Sequence, residues 1–399
     1  MFFLIISGAF ATDLHVCPAG CPYTTFQSAI DAAASNDTIF LHEGEYHEHV
    51  TISRRVTVYG DGAGRTRVDG DGAGVVVQVN GGPVGLYDLT VTGSGASADP
   101  AQASAIRIGS TSVDLSRCVI SDSGFGISGA DPGRSGALTH NTVITDNLHD
   151  GVASMATVLL DHATVYGNGG YGVRDGYDVT GHYSILAGNG LGGVRLAFEG
   201  YELLTDFLWY ANGWRSAAPV ADAHVLVQDE LGAITEAPLD GQAPLLAPPD
   251  LEGVGCSYLH PRPGSAAVDY FEDLLDLDGT PLDLGATGYD EPLVDEVAHP
   301  LCPGVHAPFF YRPGGRVWLG LSVDNTSGAP AEATLQLSYR SASASLSQGP
   351  GAAVTLLPGA NTLSLRTPTL PITMTEPVQV CLRAATAAWS ETRCRVMMY

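Results

Sequence analysis

Asn147-Leu148-His149-Asp150-Gly151-Val152, Asn168-Gly169-Gly170-Tyr171-Gly172-Val173 and Asn189-Gly190-Leu191-Gly192-Gly193-Val194 are three copies of one phrase. Asn212 extends the series, so the asparagines stand 21, 21 and 23 residues apart. Gly126-Ile127 extends the Gly-Val register backwards by 25 residues. Around each phrase the chain reads as short apolar strand, polar turn, short apolar strand. One such unit cannot bury its own apolar residues, so neighbours must stack into a continuous core. Matching side chains then lie one strand spacing apart, roughly 4.8 Å. Asparagine suits such a column, because it tolerates the left-handed backbone of a sharp bend and stacked amides hydrogen-bond along the stack. The expectation is an all-β chain built on a right-handed, single-stranded parallel β-helix.

Outward from this repeat, the 399 residues carry 49 glycines and are 45% hydrophobic, enough for a large core and a second domain. Formal net charge is −25, from 18 cations and 43 acids, and every one of the cations is arginine. A basic groove that tracks phosphates is therefore excluded, and nucleic acid with it. So is any mechanism that needs a lysine. The acidic surface reads first as a solvated acidic face, and could also hold Ca²⁺ through carboxylates and carbonyls. No zinc, phosphate-loop or dinucleotide motif is present.

Residues 1–11 read as an export segment. Met1 to Ile6 are almost wholly apolar and Ala9-Phe10-Ala11 has the small-x-small form of a cleavage site, although a basic start is missing. No later stretch approaches transmembrane length. The cysteines fit an oxidising compartment: Cys17 with Cys21, Cys381 with Cys394 on a hairpin, Cys256 with Cys302 between domains, and Cys118 left as a buried thiol. Residues 12–295 are assigned to the β-helix. Its N-terminal cap has Thr24 and Gln27 as a capping box, and a helix with Phe26, Ala29, Ile30 and Ala33 on one face. Such a helix covers the open end of stacked strands. Asp-Gly-Ala-Gly at 61–64 and 71–74 marks turns.

Tyr23-Thr24-Thr25-Phe26-Gln27-Ser28-Ala29-Ile30-Asp31-Ala32-Ala33, Asp37-Thr38-Ile39, Gly44-Glu45-Tyr46-His47-Glu48 and Val56-Thr57-Val58-Tyr59-Gly60-Asp61-Gly62 resemble the cap and first coil of the pectin lyase-like superfamily. Pro263-Gly264-Ser265-Ala266-Ala267-Val268-Asp269, with Asp276 to Thr280 and Asp283 to Ala286, resembles the closing segment of secreted bacterial β-helix proteins. The resemblance spans roughly residues 20–290. It implies the right-handed β-helix fold, and a range of roles from polysaccharide lyases, esterases, polygalacturonases and epimerases to non-catalytic surface proteins. The catalytic motifs of the esterases and polygalacturonases are missing, so Gly44, Tyr46 and Glu48 are read as cap architecture. After Pro292 the pattern changes to period two, in Val317–Val323, Ala333–Tyr339, Ala353–Leu357 and Val378–Leu382. Residues 296–399 are assigned to a small Ig-like β-sandwich.

Chemistry-bearing residues gather in two ladders. His140, His162 and His182 precede corresponding strands of three successive coils and are the candidate general bases. Arg174 and Arg195 follow the Gly-Val pair, with Arg107 in the same register, and His149, Asp150, Asp175 and Asp178 lie in adjacent turns. An arginine fork suits a uronate carboxylate, so Arg174 and Arg195 join the catalytic candidates and the four neighbours form a substrate-binding set. Each ladder also has an ordinary explanation, since like residues stack freely in a β-helix and Arg–Asp surface pairs are common. No metal ligand set and no certain cofactor is assigned, Ca²⁺ being the one candidate. Two functions follow. One is a secreted or cell-surface, carbohydrate-interacting protein without catalysis, adhesive or structural, whose partner is a polysaccharide or surface glycan. The other is a lyase or epimerase acting on a uronate-containing polysaccharide. They part on whether the histidine and arginine ladders share one groove.

Overall fold

The computed structural model describes residues 11–210 and 212 and, beyond them, segments within 225–285 and 301–397. Residues 1–10 and Cys256 lie outside the described residues, and with them the export segment and the Cys256–Cys302 pairing. The chain winds into a parallel β-solenoid of about eight turns. Each turn contributes three short strands, so the rod has three faces. Face A contains Asp13–Val16, Asp37–Leu41, Val56–Gly60, Val84–Tyr87, Ser112–Ser116, Gly136–His140 and Thr157–Asp161, then residues 178–182 and 201–205. Face B runs from Gly44–His47 through Thr66–Asp69, Thr90–Thr92, Val119–Ser121, Val143–Thr145 and Thr164–Tyr166 to residues 185–187. Face C runs from Val50–Ile52 through Val77–Val79, Ser104–Ile108, Phe125–Gly129 and Val152–Ala153 to residues 171–174 and 192–196.

The predicted asparagine ladder forms. Asn147 Nδ2 donates to Asn168 Oδ1 at 2.9 Å, Asn168 to Asn189 at 3.0 Å, and Asn189 to Asn212 at 2.9 Å. Its place in the bend differs from expectation. The left-handed residue is the one before each asparagine: Asp146 (φ 53°), Gly167 (φ 66°) and Gly188 (φ 65°). The two sequence registers turn out to be one device. A Cβ on Gly151 would lie 2.8 Å from the Gly172 carbonyl oxygen and 3.0 Å from Asn168 Nδ2, and Gly126 and Gly172 are as tightly placed. Glycine therefore leaves the space that the stacked amides fill.

Inside the rod, one side chain in two points inward and stacks on its counterparts, as in the buried column Val58, Leu86 and Leu115. Cys118 is a buried free thiol, its pKa pushed up to about 12 by burial. The cap helix is Phe26–Ala32, with Phe26, Ala29, Ile30 and Ala33 buried as expected. Its N-cap is Thr25, not Thr24, and the side chain accepts from Ser28 N. The stronger cap comes from outside the helix. Glu48 Oε1 accepts from Phe26 N at 2.7 Å and Oε2 from Gln27 N at 3.0 Å, satisfying two of the helix's orphan donors with a charged acceptor. Tyr46 OH donates to Val16 O and His42 O, so this stretch does serve the cap. From the closing segment, Ala267 and Leu284 pack on Ile185, Ala187 and Leu208 and cover face B at its far rungs.

The sandwich pairs a three-stranded antiparallel sheet (Leu301–His306, Trp318–Asn325, Gly359–Arg366) with a five-stranded one. The latter is built on Ala331–Arg340 and includes Ser345–Ser347, Ala352–Leu356, Val378–Ala385 and Ser390–Met397. Val305, Leu319, Leu321 and Val323 from the first meet Leu335, Leu337, Tyr339, Val380 and Leu382 from the second in one core. Cys17–Cys21 and Cys381–Cys394 are disulfide-bonded.

Candidate functional site

The outer surface of face A carries a continuous column of one residue per rung. Register places His15, Phe40, Tyr59, Tyr87, Ser116, His140, Asp161 and His182 in line. Their neighbours on each strand, such as Ile39, Leu41, Val58 and Leu86, point inward, so alternation alone turns these eight outward. The first four rings stack along the axis, with centroids 5.1 Å apart for His15–Phe40, 5.9 Å for Phe40–Tyr59 and 5.0 Å for Tyr59–Tyr87. Stacked in this way they present edges and polar tips to solvent. His15 Nδ1 is 2.9 Å from His42 Nε2, and His42 Nδ1 reaches Asp61 at 3.2 Å. Tyr87 OH donates to Asp114 at 2.9 Å; burial, then that bond, push the phenol up to about 12.

The histidine ladder needs a correction. His140 and His182 share a register position, but the rung between them is filled by Asp161, not His162. His162 follows one residue later, in the left-handed corner position (φ 47°) that Asn141 and Tyr183 occupy in adjacent turns. The three imidazoles meet on the Asp161 carboxylate: His162 Nδ1 at 2.8 Å, His140 Nδ1 at 3.0 Å and His182 Nε2 at 3.2 Å. The hydrogen bond with His162, with His140 and the imidazole charges adding to it, outweighs partial burial and holds Asp161 down at about 2. His162 and His182 also pack on Tyr183, at 5.0 and 4.8 Å. Ser116, His140 and Asp161 occupy successive rungs, but His140 Nε2 faces Asp114 Oδ1 at 3.8 Å, and no hydrogen bond joins it to Ser116. A base held by a carboxylate is present without an engaged nucleophile.

The arginine ladder forms on face C, where Arg107, Ser128, Ala153, Arg174 and Arg195 are in register. Both candidate arginines are already paired. Arg174 Nε donates to Asp150 Oδ2 at 2.5 Å and Nη1 to Asp175 at 3.1 Å, and Arg195 Nε donates to Asp175 Oδ1 at 3.1 Å. Arg174 lies 6.0 Å over the Phe125 ring and Arg195 5.3 Å over Tyr171. His149 stacks on Phe125 at 4.7 Å, and Asp150 Oδ1 also accepts from Tyr171 N. Asp178 opens the next strand of face A, exposed and paired in register with Thr157. His149, Asp150, Asp175, Arg174 and Arg195 are therefore one assembly, and His140, His162, His182 and Asp161 another. Within one turn, Arg174 and His182 lie on different faces, separated by a corner and the five residues 178–182, on the order of 15 Å. The two ladders lie on different faces of the solenoid.

Sequence reasoning missed Asp161 and the aromatic half of the column. The signal for Asp161 was present: it stands 21 residues from both His140 and His182, the period of the asparagines. Among the described residues no group of three or more His, Cys, Asp or Glu side chains is placed to hold a metal ion. Nor is any helix there long and apolar enough to cross a membrane. No protein-family model and no curated protein matches the chain.

Proposed function

We propose that this chain is a secreted or cell-surface β-helix protein of the pectin lyase-like superfamily that binds a glycan without turning it over. The observation that carries the reading is the face A column. It sets hydroxyls, imidazoles and carboxylates about one strand spacing apart along a straight rigid rod. A linear polysaccharide, with hydroxyls repeating along its length, is the ligand whose shape and hydrogen-bonding such a row fits. The separation of the ladders supports binding over turnover. A lyase needs charge neutralisation and base at one sugar ring, whereas here the arginines are paired with Asp150 and Asp175 on another face. Two disulfides support an oxidising location. The test combines affinity measurements on neutral and uronate-containing polysaccharides with assays for unsaturated uronate and new reducing ends, with and without EDTA. Retention without product is expected, weakened at least several-fold by Tyr59→Ala and His140→Ala. Unsaturated product that disappears in His162→Ala would replace this reading with the lyase one.

A further inference from the structure

The sandwich lies against the corner between faces B and C, and the contacts are polar. Arg340 donates to Ser94 O at 2.9 Å and to Asp122 O, and Gln379 Nε2 donates to Asp146 O at 2.6 Å. Cys394 N donates to Asp122 Oδ1 at 3.1 Å, and Arg395 Nη1 lies 3.3 Å from both Asp146 oxygens. Arg67 reaches out of the rod to Glu391 at 2.9 Å. Asp122 and Asp146 hold the same place on successive rungs, directly after the paired Ser121 and Thr145, both left-handed (φ 54° and 53°). They are only 5% and 8% exposed. Two carboxylates on adjacent rungs, each less than a tenth exposed, cannot both ionise without cost.

We propose that this seam is an acid-set clasp, in which the sandwich docks on the flank of the rod with uptake of a proton at Asp122, so that docking tightens as pH falls from neutral to mildly acid. Asp122 is pushed up to about 6, first by burial and then by the Asp146 charge, against the pull of Arg393 and Arg67. Asp146 is also raised by burial, but its two oxygens share the Arg395 guanidinium at 3.3 Å, whereas Asp122 Oδ1 accepts from Cys394 N and Oδ2 from Ser121 Oγ, both neutral donors, so Asp122 is the member of the pair that takes the proton. The other charged groups facing the seam are Glu45, His47, Asp69, Asp71, Arg340, Arg383 and Glu391. A cavity of about 370 Å³ is bordered by Asp122 and Arg340. The sign follows from the direction. A carboxyl whose docked pKa lies above its free value stabilises the docked form progressively as pH falls through the docked pKa.

Hydrogen exchange of the full chain, read by mass spectrometry on peptides spanning 119–124 and 390–397 and corrected for intrinsic rates, tests this at about pH 5 and about pH 7.5. A shift from about 6 to the ordinary aspartate value predicts a seam-opening constant about tenfold smaller at the lower pH. Asp122→Asn should remove most of the difference and hold the seam closed at both values, the remainder coming from Asp146 and Glu45, which burial also raises. Arg393→Gln, which leaves Asp122 in place, should move the transition to higher pH. Equal opening at both pH values, looser docking in acid, or an unchanged pH dependence in Asp122→Asn would overturn the clasp. None of these outcomes depends on glycan binding.

Discussion

Single residues set the tolerances of the rod. Asn168 donates to Asn189 and to Ile144 O and accepts from Asn147, all inside the wall of the solenoid. Asn168→Ala should therefore cost about 3 kcal/mol, read as a lower denaturant midpoint, because it orphans buried groups on both neighbouring rungs. Gly151→Ala forces a Cβ to within 2.8 Å of a backbone oxygen and should be comparably damaging, by about 2–4 kcal/mol. Asp161 acts through charge. Its pKa is depressed to about 2, so the stability it adds is present above the ordinary aspartate value and is lost as pH falls through about 2. Asp161→Asn should cost about 2 kcal/mol near neutral pH, and the gap to the parent protein should close between about pH 4 and pH 2 in acid-unfolding curves.

At the scale of elements, the sequence made the repeat, the cap helix and the period-two strands legible, because each rests on local spacing and alternation. Exact register was harder. His162 was grouped with His140 and His182 by matching Val165 to Val143, but the strand register pairs Val143 with Thr164 and Thr164 with Ile185, which brings Asp161 into line and sets His162 one residue on. The column from His15 to Tyr87 was hidden because its members are 19 to 28 residues apart in irregular early coils, where no fixed period marks them. The cap of the helix was hidden for a different reason. Glu48 lies 21 to 22 residues from the amides it accepts from, beyond any local motif. Glu48→Ala should unravel the helix start and lower stability by about 1–2 kcal/mol, visible as faster exchange of the Phe26 and Gln27 amides with the coils beyond residue 100 unaffected.

For the whole molecule, among the described residues, the rod and the sandwich meet through ionic and backbone hydrogen bonds, and their two hydrophobic clusters are separate. The strands that carry the seam, Val378–Ala385 and Ser390–Met397, are tied by Cys381–Cys394. Replacing both cysteines with alanine should lower the stability of the sandwich by about 2–3 kcal/mol while leaving the rod's transition in place, a separation that calorimetry would resolve.

The pairing of Arg67 with Glu391 spans 324 residues of chain. During synthesis the flank of the early coils is complete long before the strands that cover it leave the ribosome. The coils must hold their shape before Asp122 and Asp146 are covered, and only a chain made through Ser390–Met397 can return to close over them. The strand Ser390–Met397 thus acts as a timestamp on assembly: a covered flank marks a chain that has been translated at least that far.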